Sequence, residues 1–124
     1  MAITVAIIEG SAGLCQELTA TIARDSGCFC VCACQGWRAE TGRISRFTPD
    51  VIVMDINLPD GSGIEGVARL KRLLPHTQIL IFSACDDHEQ IFEALRAGAS
   101  GYLLKRTAPR ELLSAIHEIK RGGV

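Results

Sequence analysis

Short apolar runs alternate with helical patterns of apolar residues along all 124 residues of the chain. The runs predict five buried strands, over residues 3–8, 28–34, 51–55, 78–82 and 101–104. Apolar residues at helical spacing follow each run, and the clearest set is Leu14, Leu18 and Ile22. Strands and helices that alternate in this way build a parallel sheet with helices on both faces. A chain of this length forms one core, so the sequence predicts a single α/β domain over residues 1–124.

The sequence predicts two further helices, and the first of them has a weak pattern. A helix over residues 37–47 is expected to place Ile44 and Phe47 against the sheet. A helix that begins after Asp87 is expected to bury an apolar stripe formed by Ile91, Ala94 and Leu95. The segment between the third strand and the third helix, residues 58–63, contains proline and glycine and is predicted to form a loop.

Composition narrows the environment and the partners. The formal net charge is −1, with acidic and basic residues interspersed. No surface for direct binding of nucleic acid or of an anionic membrane is therefore expected. No apolar run approaches the length that spans a bilayer, and the first residues lack the pattern of a secretory signal. The six cysteines are expected to be reduced thiols, so we expect a cytoplasmic protein.

Polar residues directly follow four of the predicted strands. Glu9 comes after the first strand and Asp55 ends the third, while Ser83 and Lys105 follow the fourth and fifth. In open parallel sheets, ligands bind beyond the carboxyl ends of the strands, so these side chains are expected to meet at one rim. Two carboxylates, a hydroxyl and an ammonium suit a phosphoryl group on a carboxylate. In this interpretation Asp55 is the nucleophile and the acids hold a divalent cation.

Several segments resemble the receiver domain of two-component response regulators. They are "PDVIVMDINLPDGSG", "ILIFSA", "EALRAGASGYLLK" and "APRELLSAIHEIKRGG", and together they extend the resemblance over essentially the whole chain. The likeness is greatest to regulators that have a C-terminal helix-turn-helix DNA-binding domain. The resemblance implies a flavodoxin-like fold whose five parallel strands have the order 2-1-3-4-5.

The resemblance also implies a role for each residue at the expected rim. Asp55 would accept a phosphoryl group from a histidine kinase, and Lys105 would bind the phosphate. Ser83 would be the switch hydroxyl, and Tyr102 would be the aromatic residue that turns inward as Ser83 moves. Mg²⁺ would bind at Asp55, with the backbone carbonyl of Asn57 as a further ligand. The implied protein is a signalling switch rather than an enzyme, and it controls a DNA-binding domain in a longer chain.

Glu9 and Gly10 depart from the family's pattern, which has two acids here. The family's second acid is the direct metal ligand, and Gly10 offers no side-chain oxygen. Glu9 can reach the metal directly or through water, so we expect a Mg²⁺ site of Glu9, Asp55 and Asn57 that binds more weakly than is usual. Asp60 either replaces part of the missing ligand or, as we favour, faces solvent in its turn.

The missing acid leaves a second hypothesis open. In this hypothesis the chain is a pseudo-receiver, which serves as a dimerisation or interaction module without phosphorylation. The two hypotheses differ in whether Asp55 accepts a phosphoryl group in a metal-dependent reaction. A homodimer is a possible assembly of the chain.

Four cysteines alternate with other residues in the second predicted strand, "CFCVCAC". A regular strand would place Cys28, Cys30, Cys32 and Cys34 on one face. Neighbours on that face lie about 6.6 Å apart with parallel side chains. This geometry favours packing as small apolar residues over a disulfide or a zinc site. A thiol redox or metal sensor is a third hypothesis, and it rests on this strand alone.

Two further features have simpler interpretations. The three histidines, His76, His88 and His117, form no catalytic spacing with an acid or thiol, so each is expected at the surface. Residues 121–124 include two glycines and are expected to begin a linker to an output domain.

Overall fold

A computed structural model describes residues 2–122 of the chain. Every predicted strand and helix is present, with small shifts at their ends. In chain order the elements are β1 (Ile3–Ile8), α1 (Ala12–Ala23), β2 (Cys28–Cys34), a 3₁₀ turn (Arg38–Glu40), α2 (Thr41–Phe47), β3 (Val51–Met54), β4 (Asn57–Leu58), β5 (Gly61–Ser62), α3 (Gly63–Leu73), β6 (Gln78–Ser83), α4 (His88–Ala97), β7 (Gly101–Leu104) and α5 (Pro109–Lys120).

Five strands form one parallel sheet in the order β2-β1-β3-β6-β7. The predicted order 2-1-3-4-5 is therefore confirmed, because β6 and β7 are the fourth and fifth strands of this sheet. The two remaining strands, β4 and β5, pair with each other as a short antiparallel hairpin. This hairpin occupies the segment that the sequence predicts to be a loop.

Helices cover both faces of the sheet. On one face, Val53 of β3 shares a core with Leu18 of α1 and Ile116 of α5. On the other face, Ile52 of β3 shares a core with Val67 of α3 and with residues of α2 and α4. Every residue of β3 is buried, which explains why this strand is a continuous apolar run and not an alternating one.

A β-bulge interrupts β2 at Val31. Cys30 is paired with Val5, but Cys32 is paired with the next residue of β1, Ala6. Val31 is therefore an extra residue on β2 that has no partner on β1. An inserted residue reverses the alternation of side chains along the rest of a strand.

The bulge divides the cysteines of β2 between the two faces of the sheet. Cys28 and Cys30 pack on the side of α1 and α5, whereas Cys32 and Cys34 pack on the side of α2 and α3. The prediction that all four share one face is wrong for this reason. The row of thiols that suggested a sensor does not form, and burial raises the pKa of Cys34 to about 12.

Two apolar residues that were expected in the core are exposed. Phe47 is 46% exposed because it is the last residue of α2, which has only seven residues. Leu95 is 43% exposed. In α4 the fully buried position is Ala94, and the next residue lies about 100° further around the helix axis, so Leu95 faces outward.

The histidines differ in their surroundings. His76 and His88 are exposed, as predicted. The prediction is wrong for His117, which is half-buried and lies 2.9 Å from Asp25 Oδ2 through its Nε2 atom. The partner is distant in sequence, because the end of α1 and the middle of α5 meet only in the folded chain.

The chain reaches the end of α5 at Lys120, and Arg121 and Gly122 form a turn. The prediction of a linker over residues 121–124 extends beyond the described residues, since positions 123 and 124 lie outside them. Over residues 2–122, none of the helices combines the length and the apolar character needed to cross a bilayer.

Asp50 connects the start of β3 to β1 and α5. Its Oδ2 atom accepts hydrogen bonds from the Thr4 amide at 2.9 Å and the Thr4 hydroxyl at 3.2 Å. Its Oδ1 atom lies 3.1 Å from Lys120 Nζ. Burial raises the pKa of Asp50, but the hydrogen bonds outweigh burial and leave the pKa below its ordinary value.

We expect the Asp50→Asn variant to lose about 1 kcal/mol of unfolding free energy at pH 7, since the lost charged hydrogen bonds are partly exposed. A carboxyl with a lowered pKa stabilises the fold above its unfolded pKa, and this contribution disappears as the pH falls. The difference between the variant and the natural chain should therefore narrow below about pH 4. Urea unfolding between pH 7 and pH 3 measures this difference in unfolding free energy. The exposed Asp86→Asn variant is the control. A difference that is independent of pH would contradict this role.

Candidate functional site

The carboxyl ends of four adjacent strands bring the predicted site residues to one rim of the sheet. Glu9 follows β1, Asp55 follows β3 and Lys105 follows β7, while Ser83 is the last residue of β6. Backbone pairing continues one residue beyond the strands, from the Asp55 amide to the carbonyl of Ile8 at 3.1 Å. The Lys105 amide likewise donates to the Ser83 carbonyl at 2.9 Å. The sheet itself therefore fixes the backbone of the site.

Lys105 links the two carboxylates of the rim. Its Nζ atom lies 2.7 Å from Asp55 Oδ2 and 3.0 Å from Glu9 Oε1. Glu9 is 3% exposed and Asp55 is 5% exposed. Two buried carboxylates require a counter-charge, and the ammonium group provides it.

The charge of Lys105 depends on these contacts. Burial lowers the pKa of Lys105, but the hydrogen bonds with Asp55 and Glu9 raise it by more, so the net pKa lies above its ordinary value. The ammonium is therefore present at neutral pH, where it can neutralise an anionic group bound at Asp55.

The second oxygen of each carboxylate accepts a backbone hydrogen bond. Glu9 Oε2 accepts from the Ser11 amide at 3.0 Å, and Asp55 Oδ1 accepts from the Asn57 amide at 3.2 Å. The Ser11 hydroxyl in turn accepts from the Leu14 amide at 3.3 Å and caps α1. Both carboxylates are thus held in fixed orientations.

Ser83 and Tyr102 are connected through Cys85. The fully buried Ser83 hydroxyl accepts a hydrogen bond from the Cys85 amide at 3.3 Å. The Tyr102 hydroxyl donates to the Cys85 carbonyl at 2.7 Å. Burial raises the pKa of Tyr102, so this hydroxyl is protonated at neutral pH. Within residues 2–122, neither Ser83 nor Tyr102 forms a hydrogen bond with Asp55.

Gly63 was not identified from the sequence as a site residue, yet it holds the loop after Asp55. Its amide donates to the Ile56 carbonyl at 2.7 Å. A Cβ atom at Gly63 would overlap the backbone of Asp55 and Ile56. The start of α3 can approach Asp55 only because this position is glycine. The sequence signal was a glycine directly after Ser62, whose hydroxyl caps α3.

Asp60 lies in a turn, as favoured from the sequence, but its carboxylate is held by Arg38 and is not directed at the rim. Its Oδ2 atom accepts a hydrogen bond from the Arg38 amide at 2.8 Å, and the Arg38 guanidinium donates to the Asp60 carbonyl at 2.6 Å. Its Oδ1 atom is buried and has no hydrogen-bond partner among the described residues. Asp60 is therefore directed toward the 3₁₀ turn, where it is half-buried, and not toward Asp55.

Gly10 lies where an additional acid would reach the rim. A Cβ atom at this position would be 3.9 Å from the Asn57 carbonyl oxygen and 3.0 Å from Pro59 Cδ. The Asp55 carboxylate, the Asn57 carbonyl and the Glu9 carboxylate are oxygen donors of the kind that Mg²⁺ prefers. The residues present therefore fit Mg²⁺, with Lys105 sharing both carboxylates and with no ligand from position 10.

Comparison with known proteins shows which family has this arrangement. The pattern of the response regulator receiver domain matches residues 5–117. The uncharacterized transcriptional regulatory protein YxjL of Bacillus subtilis (strain 168) is 50% identical over 74 residues, which are 60% of this chain and 34% of YxjL. The oxygen regulatory protein NreC of Staphylococcus carnosus (strain TM300) is 38% identical over 81 residues, which are 64% of this chain and 37% of NreC.

A solved structure agrees with these sequence relationships. A two-component response regulator of the LuxR family from Aurantimonas sp. SI85-9A1 superposes with a TM-score of 0.93 and 28% identity, over 99% of this chain and 88% of that one. The chain spans about a third of the length of YxjL and NreC. The resemblance noted in the sequence is confirmed, and the chain belongs to the receiver domain family of two-component response regulators.

Proposed function

We propose that the chain is a phosphorylation switch in which Asp55 accepts a phosphoryl group from a histidine kinase. The main support is the buried Asp55 carboxylate, whose Oδ2 atom lies 2.7 Å from the ammonium of Lys105. In the transfer, the phosphorus–nitrogen bond of a phosphohistidine breaks as a bond forms between phosphorus and an Asp55 oxygen. The imidazole leaves with the electron pair of the broken bond. Lys105 neutralises charge on the phosphoryl oxygens.

Asp55, the Asn57 carbonyl and Glu9 would hold Mg²⁺ at this rim. The ion supplies positive charge to the phosphoryl oxygens when bound. We expect weak binding, because Glu9 already has contacts with Lys105 and the Ser11 amide, and Gly10 adds no oxygen.

Phosphorylation would act through the segment between β6 and α4. Phosphoryl oxygens attract the Ser83 hydroxyl, whose present partner is the Cys85 amide. Movement of this segment would displace the Cys85 carbonyl, which is the present partner of the Tyr102 hydroxyl, and would change how far the half-buried Tyr102 ring turns inward. The result is a population shift between two states. We propose that the shift takes place in the cytoplasm and controls a DNA-binding domain in a longer chain.

The test is the intact mass of the protein after incubation with acetyl phosphate, with and without Mg²⁺. We expect a gain of one phosphoryl group that requires Mg²⁺ and is lost in the Asp55→Ala variant. The Asp60→Asn variant is the matched control, because it removes the other carboxylate of the same loop and should still gain the group.

A failed reaction would change the interpretation. If folded protein gains no phosphoryl group at any Mg²⁺ concentration, the chain is a pseudo-receiver that acts without phosphorylation. If the Asp55→Ala variant gains the group as the natural chain does, Asp55 is not the acceptor.

A further inference from the structure

A second cluster of ionisable side chains lies at the opposite end of the sheet from Asp55. Asp25 follows α1, Cys28 is the first residue of β2, and His117 belongs to α5. The His117 Nε2 atom lies 2.9 Å from Asp25 Oδ2 and 3.8 Å from Cys28 Sγ. One atom from each of the three side chains lies within 4.8 Å of the other two. It is the single such group of three within residues 2–122.

The three atoms have the spacing of ligands around one small cation. Zn²⁺ binds nitrogen and oxygen at about 2.0–2.2 Å and sulfur at about 2.3 Å, so tetrahedral ligand atoms lie roughly 3.3–3.6 Å apart. The contacts of His117 Nε2 differ from these separations by roughly half an ångström or less. Small rotations of the side chains would therefore complete three corners of a tetrahedron.

The turn between α1 and β2 orients the cluster. The Gly27 amide donates to Asp25 Oδ1 at 2.8 Å, which leaves Oδ2 for His117. The Cys28 amide donates to the Asp25 carbonyl at 3.0 Å. A Cβ atom at Gly27 would lie 2.8 Å from His117 Cε1, so glycine allows the imidazole to lie against the turn. Backbone hydrogen bonds to a ligating carboxylate are a usual feature of metal sites.

Solvent can reach the fourth corner. Cys28 is buried, but Asp25 and His117 are half-buried and line a groove of about 510 Å³ that is open along α5.

We propose that Asp25, Cys28 and His117 bind one Zn²⁺ ion, with solvent as the fourth ligand. Thiolate, imidazole and carboxylate together suit this borderline-soft cation better than Mg²⁺, which prefers oxygen ligands alone. Binding releases the Cys28 thiol proton and any proton held on His117 Nε2 to solvent, and no oxidant or reductant takes part. The ion would tie α5 to the turn between α1 and β2.

Titration with Co²⁺ in the presence of a phosphine reductant tests the proposal on the whole chain. We expect a thiolate-to-cobalt absorption band that saturates with one equivalent of Co²⁺ at this site and that Zn²⁺ removes by displacement. The Cys28→Ser and His117→Gln variants should each bind at least about tenfold more weakly. Thermal unfolding should shift upward with Zn²⁺ in the natural chain and not in His117→Gln.

Two variants are matched controls. Cys30→Ser changes a thiol on the same strand and the same face, and His76→Gln changes an exposed imidazole, so both should bind as the natural chain does. Asp55→Ala should also leave the thiolate-to-cobalt band unchanged, which would show that this site is distinct from the rim. The proposal is overturned if the natural chain shows no stoichiometric band, or if folded Cys28→Ser and His117→Gln bind as tightly as the natural chain.

Discussion

The Gly10→Asp variant is expected to bind Mg²⁺ at least about tenfold more tightly than the natural chain, which is a gain of about 1.4 kcal/mol. The rim already provides the Asp55 carboxylate and the Asn57 carbonyl, but Glu9 is engaged by Lys105 and by the Ser11 amide. A carboxylate at position 10 would add a charged oxygen next to the Asn57 carbonyl. Mg²⁺ requires near-octahedral oxygen ligands, so an added ligand replaces a water molecule in the coordination shell.

The backbone at Gly10 can accept this change. A Cβ atom there would be 3.0 Å from Pro59 Cδ, so the proline ring must move by a few tenths of an ångström. It would also be 3.9 Å from the Asn57 carbonyl oxygen, which places a new carboxylate next to the expected ligand. Without metal, a third carboxylate at the rim should destabilise the fold, since it lies near Glu9 and Asp55.

Calorimetric titration with Mg²⁺ measures the affinities. The Gly10→Asn variant is the matched control, because it has the same shape as Gly10→Asp without the charge and should show a smaller gain. Equal affinity in the natural chain and in Gly10→Asp would mean that Gly10 does not weaken the metal site.

The part of the fold that follows from local patterns could be predicted from the sequence. The order of the strands in the sheet was implied by the family resemblance. The strands themselves were predicted from the alternation of apolar runs with helical patterns. The bulge at Val31 could not be predicted, because "CFCVCAC" keeps a perfect period of two through the inserted residue. Only the pairing of Cys30 with Val5 and of Cys32 with Ala6 reveals the reversal. The face of the sheet on which each cysteine lies therefore depends on how β2 pairs with β1.

The rim was predictable for a different reason. In a parallel sheet, the residue that follows a strand is placed by the strand itself, so Glu9, Asp55 and Lys105 had to converge. Their hydrogen-bond partners were not predictable, since Asp60 turns to Arg38 through contacts between segments that are 22 residues apart. The contact between His117 and Asp25 was even less predictable, because these two residues are 92 positions apart in the sequence.

The Lys105→Met variant is expected to lose about 2–3 kcal/mol of unfolding free energy in buffer free of Mg²⁺. Removal of one partner of a buried ion pair costs about 3–5 kcal/mol, and the Lys105 side chain is 24% exposed, which reduces the loss. Methionine keeps most of the side-chain volume, so the loss reports on charge and not on a cavity. The physical reason is that Glu9 and Asp55 would be left as two buried carboxylates without a cation.

Two further variants separate this cause from a general effect of lost positive charge. Arg106→Met removes an exposed cation next to Lys105 and should change stability by no more than about 0.5 kcal/mol. Adding Glu9→Gln to Lys105→Met should restore part of the loss, because one of the two unpaired carboxylates becomes neutral. Urea unfolding of the single and double variants gives the coupling free energy between Glu9 and Lys105, which we expect to reach at least about 1 kcal/mol. Additive effects of Glu9→Gln and Lys105→Met would instead mean that the Lys105 ammonium does not balance the charge of Glu9.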